Sequence, residues 1–357
     1  MERLMPEQRR MIEDFEVIEH VDETQIANLR KRVDVDVPLS LHWTWEYGSE
    51  VEELRQLYER GKKGQWNAET DIDWSIPFPS DQWFLPKENS SLLAGVLHSM
   101  GADDATCRDA ARDEFAHTMS QLLHGEQAAL QLCGQLTNAC PTMDQKWYAG
   151  SQVIDEVRHV EVISKFLSRK MGVLYPVSPT IKILLDKLLA APTWKLKTLG
   201  MQCLFEGVAV GIFDIIKTMT TNPLLKDILR RVELDESRHA AFGILTMRRL
   251  VQDATPEEME QFEDFTFEIL EALNANQQLD MLHDLGPKYG LDPEACVRVM
   301  FSLPNWAAIN SEVYMHTVVP NLIRLGLITE RTESKYRKLG ILSDTRTAPR
   351  SELPLSA

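Results

Sequence analysis

Two five-residue segments, Asp155-Glu156-Val157-Arg158-His159 and Asp235-Glu236-Ser237-Arg238-His239, repeat with a single change 80 positions apart. In a helix, positions i and i+3 share a face, so Glu156 with His159, and Glu236 with His239, each aim one carboxylate and one imidazole at a common point. Two more glutamates stand at the same offset, Glu126 in LLHGEQAAL and Glu206 in CLFEGVAV. The midpoint of Glu126 and Glu156 is Pro141, and that of Glu206 and Glu236 is Thr221, inside Thr220-Thr221-Asn222-Pro223. Each pair therefore faces itself across a helical hairpin, on the order of 20 Å from the turn at about 1.5 Å rise per residue. An isolated E-x-x-H on a charged helix is ordinarily a solvated face. Two of them, with matched upstream glutamates and breakers at both midpoints, instead predict six ligands converging inside a four-helix bundle.

Four carboxylates buried together repel unless cations neutralise them. Two divalent ions balance four carboxylates, and a mixed carboxylate and imidazole shell suits iron or manganese better than a structural zinc. Asp155 and Asp235 are placed to accept the free ring N–H of a ligating histidine, and Arg158 and Arg238 to pair with those aspartates.

Helical patterning extends over most of the chain. Asp103 or Asp104 caps a helix running to about Cys140, and a second runs from about Met143 to Gly172. A shorter helix lies between Pro179 and Pro192, a long one over about 193–220, and another runs to about Ala254, after which Thr255-Pro256-Glu257-Glu258 starts one more. The fold expected is all-α, a four-helix bundle over 103–283. Residues 1–102 are expected to form an arm and helices packed on it, including helical stretches near 22–32 and 49–62. Shorter helices near 292–302, 305–325 and 330–339 fill a segment 284–342, and 343–357 is expected to be a mobile tail. Trp66, Trp74 and Trp83 lie in a loop, where packing of the arm is the expected role and covering a site the alternative.

Composition narrows the function. With a formal net charge of −16 the chain is a poor partner for nucleic acid or anionic membranes. No strictly apolar run approaches the roughly 20 residues needed to span a bilayer, the amino terminus lacks the apolar core of a secretory signal, and the cytoplasm is the expected location. Cys107, Cys133, Cys140, Cys203 and Cys296 are odd in number and form no C-x-x-C, so reduced, mostly buried thiols are expected. There is no glycine-rich phosphate loop and no G-x-S-x-G elbow. His117 and His124 are expected to be structural or solvated.

At these residues the sequence resembles the ferritin-like di-iron carboxylate superfamily, and the doubled D-E-x-R-H is most similar to the catalytic subunit of bacterial multicomponent monooxygenases. The resemblance covers about 103–250. It implies a di-iron centre, with an iron–manganese pair as the variant, that uses dioxygen as co-substrate. Glu126, Glu156 and His159 would hold one ion, and Glu206, Glu236 and His239 the other. It further implies oxygen insertion into a small organic substrate by hydroxylation, epoxidation or N-oxygenation, with electrons from a separate reductase or ferredoxin. Bundles of this class often dimerise, and a homodimer is expected.

By position-wise analogy a substrate cavity would be lined by Leu122, Gly125 and Ala129, by Ile163, and by Val210 and Gly211, with Asp214 facing it. Glu126, Glu206 and Asp214 are the expected catalytic carboxylates. The sequence departs from its relatives at several points. Val210 stands where the hydroxylases usually carry threonine. Glu126 and Ile163 stand where ribonucleotide reductase small subunits carry an aspartate ligand and a radical tyrosine. Val232 occupies the place of an added histidine ligand in arylamine N-oxygenases, and acyl-carrier-protein desaturases usually read E-E-N-R-H in the first motif. The rival functions are a desaturase or oxidative-cleavage enzyme, an iron-handling ferroxidase, and a non-catalytic interaction subunit. Labelled dioxygen separates the first, iron accumulation without organic substrate the second, and activity that survives loss of metal binding the third.

Overall fold

The computed structural model describes residues 35–87, 91–274, 277–293, 296 and 313–342. Among these residues there are helices and no strands. Helix α1 is Glu52–Lys63, α2 is Leu92–Ser99, α3 is Asp104–Ala139 and α4 is Met143–Phe166, which runs on as a π-helical turn over Leu167–Met171. Helix α5 is Pro179–Leu189, α6 spans Trp194–Met219 and α7 is Pro223–Gln252. Helix α8 is Pro256–Asn274 and α9 is Gln277–Leu285. Helix α10 covers 314–324, opening with a π-helical turn, and α11 is Glu330–Lys338. The stretch expected near 22–32 and the tail from 343 lie outside the described residues, as does most of that near 292–302.

The helix starts follow local chemistry. Asp103 accepts from the Thr106 amide at 2.8 Å, Thr142 and Gln145 form a capping box, and Asn222 accepts from the Leu225 amide at 3.2 Å just ahead of Pro223. Thr255 and Glu258 exchange backbone and side-chain bonds of 3.1 and 3.3 Å, as the T-P-E-E signature predicts. Cys140 to Thr142 and Thr220 to Asn222 form the two hairpin turns at the expected midpoints.

Helices α3, α4, α6 and α7 form the bundle, and its interior has an order that the hairpin geometry dictates. One apolar cluster takes Ala128, Leu132, Tyr148, Phe205 and Phe242, and the other takes Phe115, Phe166, Phe213, Leu225 and Val232. The two lie on opposite sides of the layer containing Glu126, Glu156, Glu206 and Glu236. Each ligand position is thus sealed along the bundle axis by hydrocarbon. Helix α6 is long and apolar enough to cross a membrane by length and composition, but 78% of that stretch is buried in the bundle. Its hydrophobicity is that of a core helix.

One local feature was not foreshadowed by the sequence. Helix α6 widens into a π-helix over Thr198–Phe205, directly before Glu206. Such insertions shift register by one residue and recur at functional sites. Gly243 on α7 accommodates the bulge: a Cβ there would lie 2.8 Å from the Gln202 carbonyl carbon and 2.9 Å from Cys203 Sγ.

Candidate metal centre

All six predicted ligands meet. Glu126, Glu156, His159 and Glu236 place one ligand atom each within 4.8 Å of one another, and so do Glu156, Glu206, Glu236 and His239. The grouping differs from the simple two-by-three division: Glu156 and Glu236 belong to both sets, and only the outer pairs Glu126 with His159 and Glu206 with His239 are private to one. Every one of the six side chains is buried.

The imidazoles share one orientation. His159 Nδ1 lies 3.2 Å from Glu126 Oε2 and 2.8 Å from Glu236 Oε1, while its Nε2 lies 3.2 Å from Asp235 Oδ2. His239 Nδ1 lies 3.2 Å from Glu156 Oε1 and 3.1 Å from Glu236 Oε2, with Nε2 3.3 Å from Asp155 Oδ2. Asp155 and Asp235 therefore accept ring N–H groups as expected, but crossed between helices: each aspartate serves the histidine of the other E-x-x-H segment. This reciprocity ties α4 to α7. Arg158 reaches Asp155 and Asp235, and Arg238 pairs with Asp235, so two cations offset the two aspartates.

Three supporting residues join the ligands, of which the sequence singles out only Trp66, with covering a site as its alternative role. Trp66 Nε1 donates to Asp235 Oδ2 at 2.8 Å, and Gln65 Nε2 donates to Asp155 Oδ1 at 2.8 Å while its carbonyl accepts from Arg158. Gln152 donates to Glu156 Oε1 at 2.9 Å and to Glu206 Oε1 at 3.3 Å. The loop after α1 thus packs the arm and reaches the site, whereas the indole N–H groups of Trp74 and Trp83 donate to the Ala68 carbonyl and to Asp104.

The electrostatics fit a pair of cations. Burial, reinforced by the Glu236 carboxylate, pushes Glu126 and Glu206 well above the usual carboxylate range. Burial also disfavours charge on His239, yet the Glu236 and Glu156 carboxylates outweigh it and push the imidazole up to about 10. Burial opposes ionisation of Asp235 too, but the hydrogen bond and charge of His159, with Arg238, hold it well below its ordinary value. Glu156 Oε2 is buried with no hydrogen-bond partner, and Glu236 Oε1 accepts no aligned hydrogen bond although His159 Nδ1 stands 2.8 Å away. Oxygen atoms left so are costly unless something else satisfies them. Outer glutamates and imidazoles whose surroundings favour the protonated form, with shared-pair oxygens that accept no aligned hydrogen bond, describe a ligand set suited to two divalent ions.

The expected pocket residues are scattered. Leu122 and Ile163 pack in one apolar cluster and Ala129 in the other. A Cβ on Gly125 would lie 2.5 Å from Phe205 Cζ, so that ring fills the space beside it, and Gly211 abuts Val313. Val210 is half-buried. Two surface cavities, one lined by residues including Lys63, Trp66 and Arg231 and the other by Tyr58, Trp147 and Ile154, include none of these residues in their linings. Asp214 does not face the site: it is exposed and pairs with Lys217 at 2.9 Å. Eight residues at about 100° each rotate it some 80° past the direction of Glu206, which takes it to the surface. His117 bonds to Asp284 and His124 to the Tyr175 carbonyl, away from the ligands, and the five cysteines are buried and free.

Paired helical hairpins carrying two E-x-x-H motifs and two upstream glutamates define the chain as a ferritin-like carboxylate protein with a di-metal centre. The model of the p-aminobenzoate N-oxygenase AurF family matches residues 49–319, about three quarters of the sequence, and the chain belongs to that family of oxidoreductases. Among solved structures it is similar to an R2-like ligand-binding oxidase with aerobically reconstituted Mn/Fe cofactor, at 15% identity and TM-score 0.47, covering 80% of this chain and 99% of that one. The same oxidase after photoconversion gives 15% identity and TM-score 0.45 over the same shares. No curated protein matches the sequence.

Proposed function

We propose that the chain is a dioxygen-dependent N-oxygenase of a small aromatic amine, with electrons from a separate reductase or ferredoxin in the cytoplasm. The observation that carries this reading is the pair of four-ligand groups sharing Glu156 and Glu236, inside a chain whose family takes its name from N-oxygenation of p-aminobenzoate. Glu126 with His159 would hold one iron and Glu206 with His239 the other. When bound, the two ions supply the redox equivalents and the open coordination positions that dioxygen chemistry needs.

The protein's own residues do the rest. Asp235 and Asp155 fix the imidazoles with Nδ1 inward, Gln152 orients Glu156 and Glu206, and the apolar clusters above and below exclude water. Val232, fully buried one turn before Glu236, offers no donor atom, so six protein ligands complete the set.

The test is incubation of reduced, iron-loaded protein with labelled dioxygen and a panel of aromatic amines, followed by mass spectrometry. Label on nitrogen is expected. Label on carbon would redirect the reading to hydroxylation, unlabelled oxidised product to desaturation, and iron accumulation without organic product would overturn it.

A further inference from the structure

Behind Asp235, the carboxylate that anchors His159, a cavity of about 200 Å³ opens between the loop after α1 and the middle of α7. Four of its lining residues are cations, Lys63, Arg230, Arg231 and Arg238, and two are carboxylates, Asp71 and Asp235, so its wall is net positive on a chain of net charge −16. Part of the wall is apolar: the half-buried Trp66 indole and Leu234, which is 52% exposed.

The arginines are oriented before anything binds. Arg231 Nε donates to Asp227 Oδ2 at 3.1 Å and its Nη2 to the Asp71 carbonyl at 3.0 Å, with the guanidinium carbon 5.8 Å from the Trp66 ring centroid. Arg230 Nη2 donates to Asp227 Oδ1 at 2.7 Å, and Arg238 Nη1 donates to the Leu234 carbonyl at 3.0 Å. A guanidinium carries five N–H donors, so each of the three keeps donors to spare. The Asp71 carboxylate competes little for them, since it accepts the Asn67 amide at 2.9 Å and the Thr70 hydroxyl at 3.1 Å within its own loop. Gly64 leaves the space clear: a Cβ there would lie 3.2 Å from both terminal nitrogens of Arg238. Guanidinium groups fixed in advance beside an indole and an exposed leucine suit an anion that carries an apolar body.

We propose that this cavity binds a small organic acid, with its carboxylate on Lys63, Arg230 and Arg231 and its hydrocarbon on Trp66 and Leu234, and that the bound acid tunes the metal centre through Asp235. The volume limits the ligand to a small molecule, because sites for drug-sized ligands measure about 300–1,000 Å³. His159 and Asp235 stand between the cavity and the ligand oxygens, so the acid is an effector and not a molecule poised for oxidation. Trp66 and Arg238 carry the coupling. Both line the cavity and both donate to Asp235, Trp66 at 2.8 Å to the oxygen that also receives His159 Nε2. An anion that draws on Arg238 leaves more of the Asp235 charge to the His159 ring, and a more basic imidazole holds a divalent ion more tightly. By linkage, the metal-loaded protein binds the acid more tightly by the same factor. The coupling needs a metal at His159 but no particular reaction there, so it is independent of N-oxygenation.

Anaerobic isothermal titration of benzoate into the iron-loaded full chain tests this, with aniline and inorganic phosphate as probes that each lack one half of the ligand. One equivalent of benzoate is expected to bind here, with aniline and phosphate at least about 10-fold weaker for want of the charge or the apolar body. Lys63→Glu with Leu234→Asp, both at exposed positions, is expected to weaken that equivalent by at least about 100-fold while iron content and helicity by circular dichroism are unchanged. Chelator competition supplies the second readout: saturating benzoate is expected to tighten one iron by about 5-fold in the wild type and to leave the double variant unmoved. A double variant that still binds every equivalent of benzoate, phosphate or aniline binding as tightly as benzoate, or a wild-type iron affinity indifferent to benzoate would overturn the proposal.

Discussion

Replacing Asp235 with asparagine removes one carboxylate charge where four donors converge. Oδ2 receives Trp66 Nε1 at 2.8 Å, His159 Nε2 at 3.2 Å and Arg158 Nη2 at 3.3 Å, and Oδ1 receives Arg238. Asparagine keeps the first three only by turning its amide NH₂ toward Arg238, so one buried donor pair faces another. Arg158 and Arg238 are then left with a single aspartate between them. An uncompensated pairing of this kind costs about 2–3 kcal/mol, less than the about 3–5 kcal/mol for breaking a fully buried ion pair, because Arg238 retains some solvent contact. The larger consequence is at His159, whose ring loses its anionic anchor. Groups that hold a ligating imidazole contribute about 10–100-fold to metal affinity. Chelator-competition titration of the Asp235→Asn protein should therefore show one ion weakened by that factor, the one shared by Glu126 and His159. The other, anchored through Asp155 and His239, should change less. Equal affinity for both ions in variant and wild type would refute the positioning role.

Asp214→Ala should leave metal content and turnover unchanged, which oxygen-consumption assays and metal analysis can check, because the side chain is outward and paired with Lys217. Gly243→Ala should destabilise the fold by about 1–3 kcal/mol or more in urea titration, since its Cβ meets the π-helical backbone at 2.8 Å. Gly134→Ala, in mid-helix with nothing within 4 Å of the added carbon, should stabilise by about 0.5–1 kcal/mol. Metal loading should release protons: the neighbouring carboxylates outweigh burial and raise His159 and His239, the latter to about 10, while burial raises Glu126 and Glu206. The metal-free site thus holds protons that the loaded site cannot, and apparent affinity should climb with pH until about 10, where the His239 imidazole loses its proton. Calorimetry in buffers of different ionisation enthalpy reads this directly, and an enthalpy independent of buffer would contradict it.

Much of this architecture is legible because helices translate spacing into direction. The 80-residue offset and the breakers at residues 141 and 221 locate four helices, both turns and the depth of the ligands, and the structure adds little to that outline. The crossed Asp–His bonds were out of reach: Asp155 and His159 are four apart on one helix, and only the relative rotation of α4 and α7 decides that Asp155 serves His239. Gln65, and the partner that Trp66 takes, are out of reach for a different reason. Both residues sit in a loop without periodicity, 90 and 169 residues from the aspartates they bond. Gln152, by contrast, stands one turn before Glu156 on the ligand-bearing face, a position the i, i+4 rule marks out. The π-helix ahead of Glu206 carries no residue signature, since neither proline nor a glycine pair interrupts Thr198–Phe205. Asp214 shows the limit of counting turns: eight residues drift far enough round a helix to exchange a cavity for solvent.

Two overlapping groups built on Glu156 and Glu236 make an unusual claim about stoichiometry, and iron analysis after anaerobic loading tests it most directly. Wild-type protein is predicted to hold two ions per chain, Glu126→Ala to lose the single ion to which it belongs, and Glu156→Ala, which removes a shared ligand, to weaken both together. A wild type that binds one ion or none, or a Glu156→Ala protein that keeps two with undiminished affinity, would contradict the account.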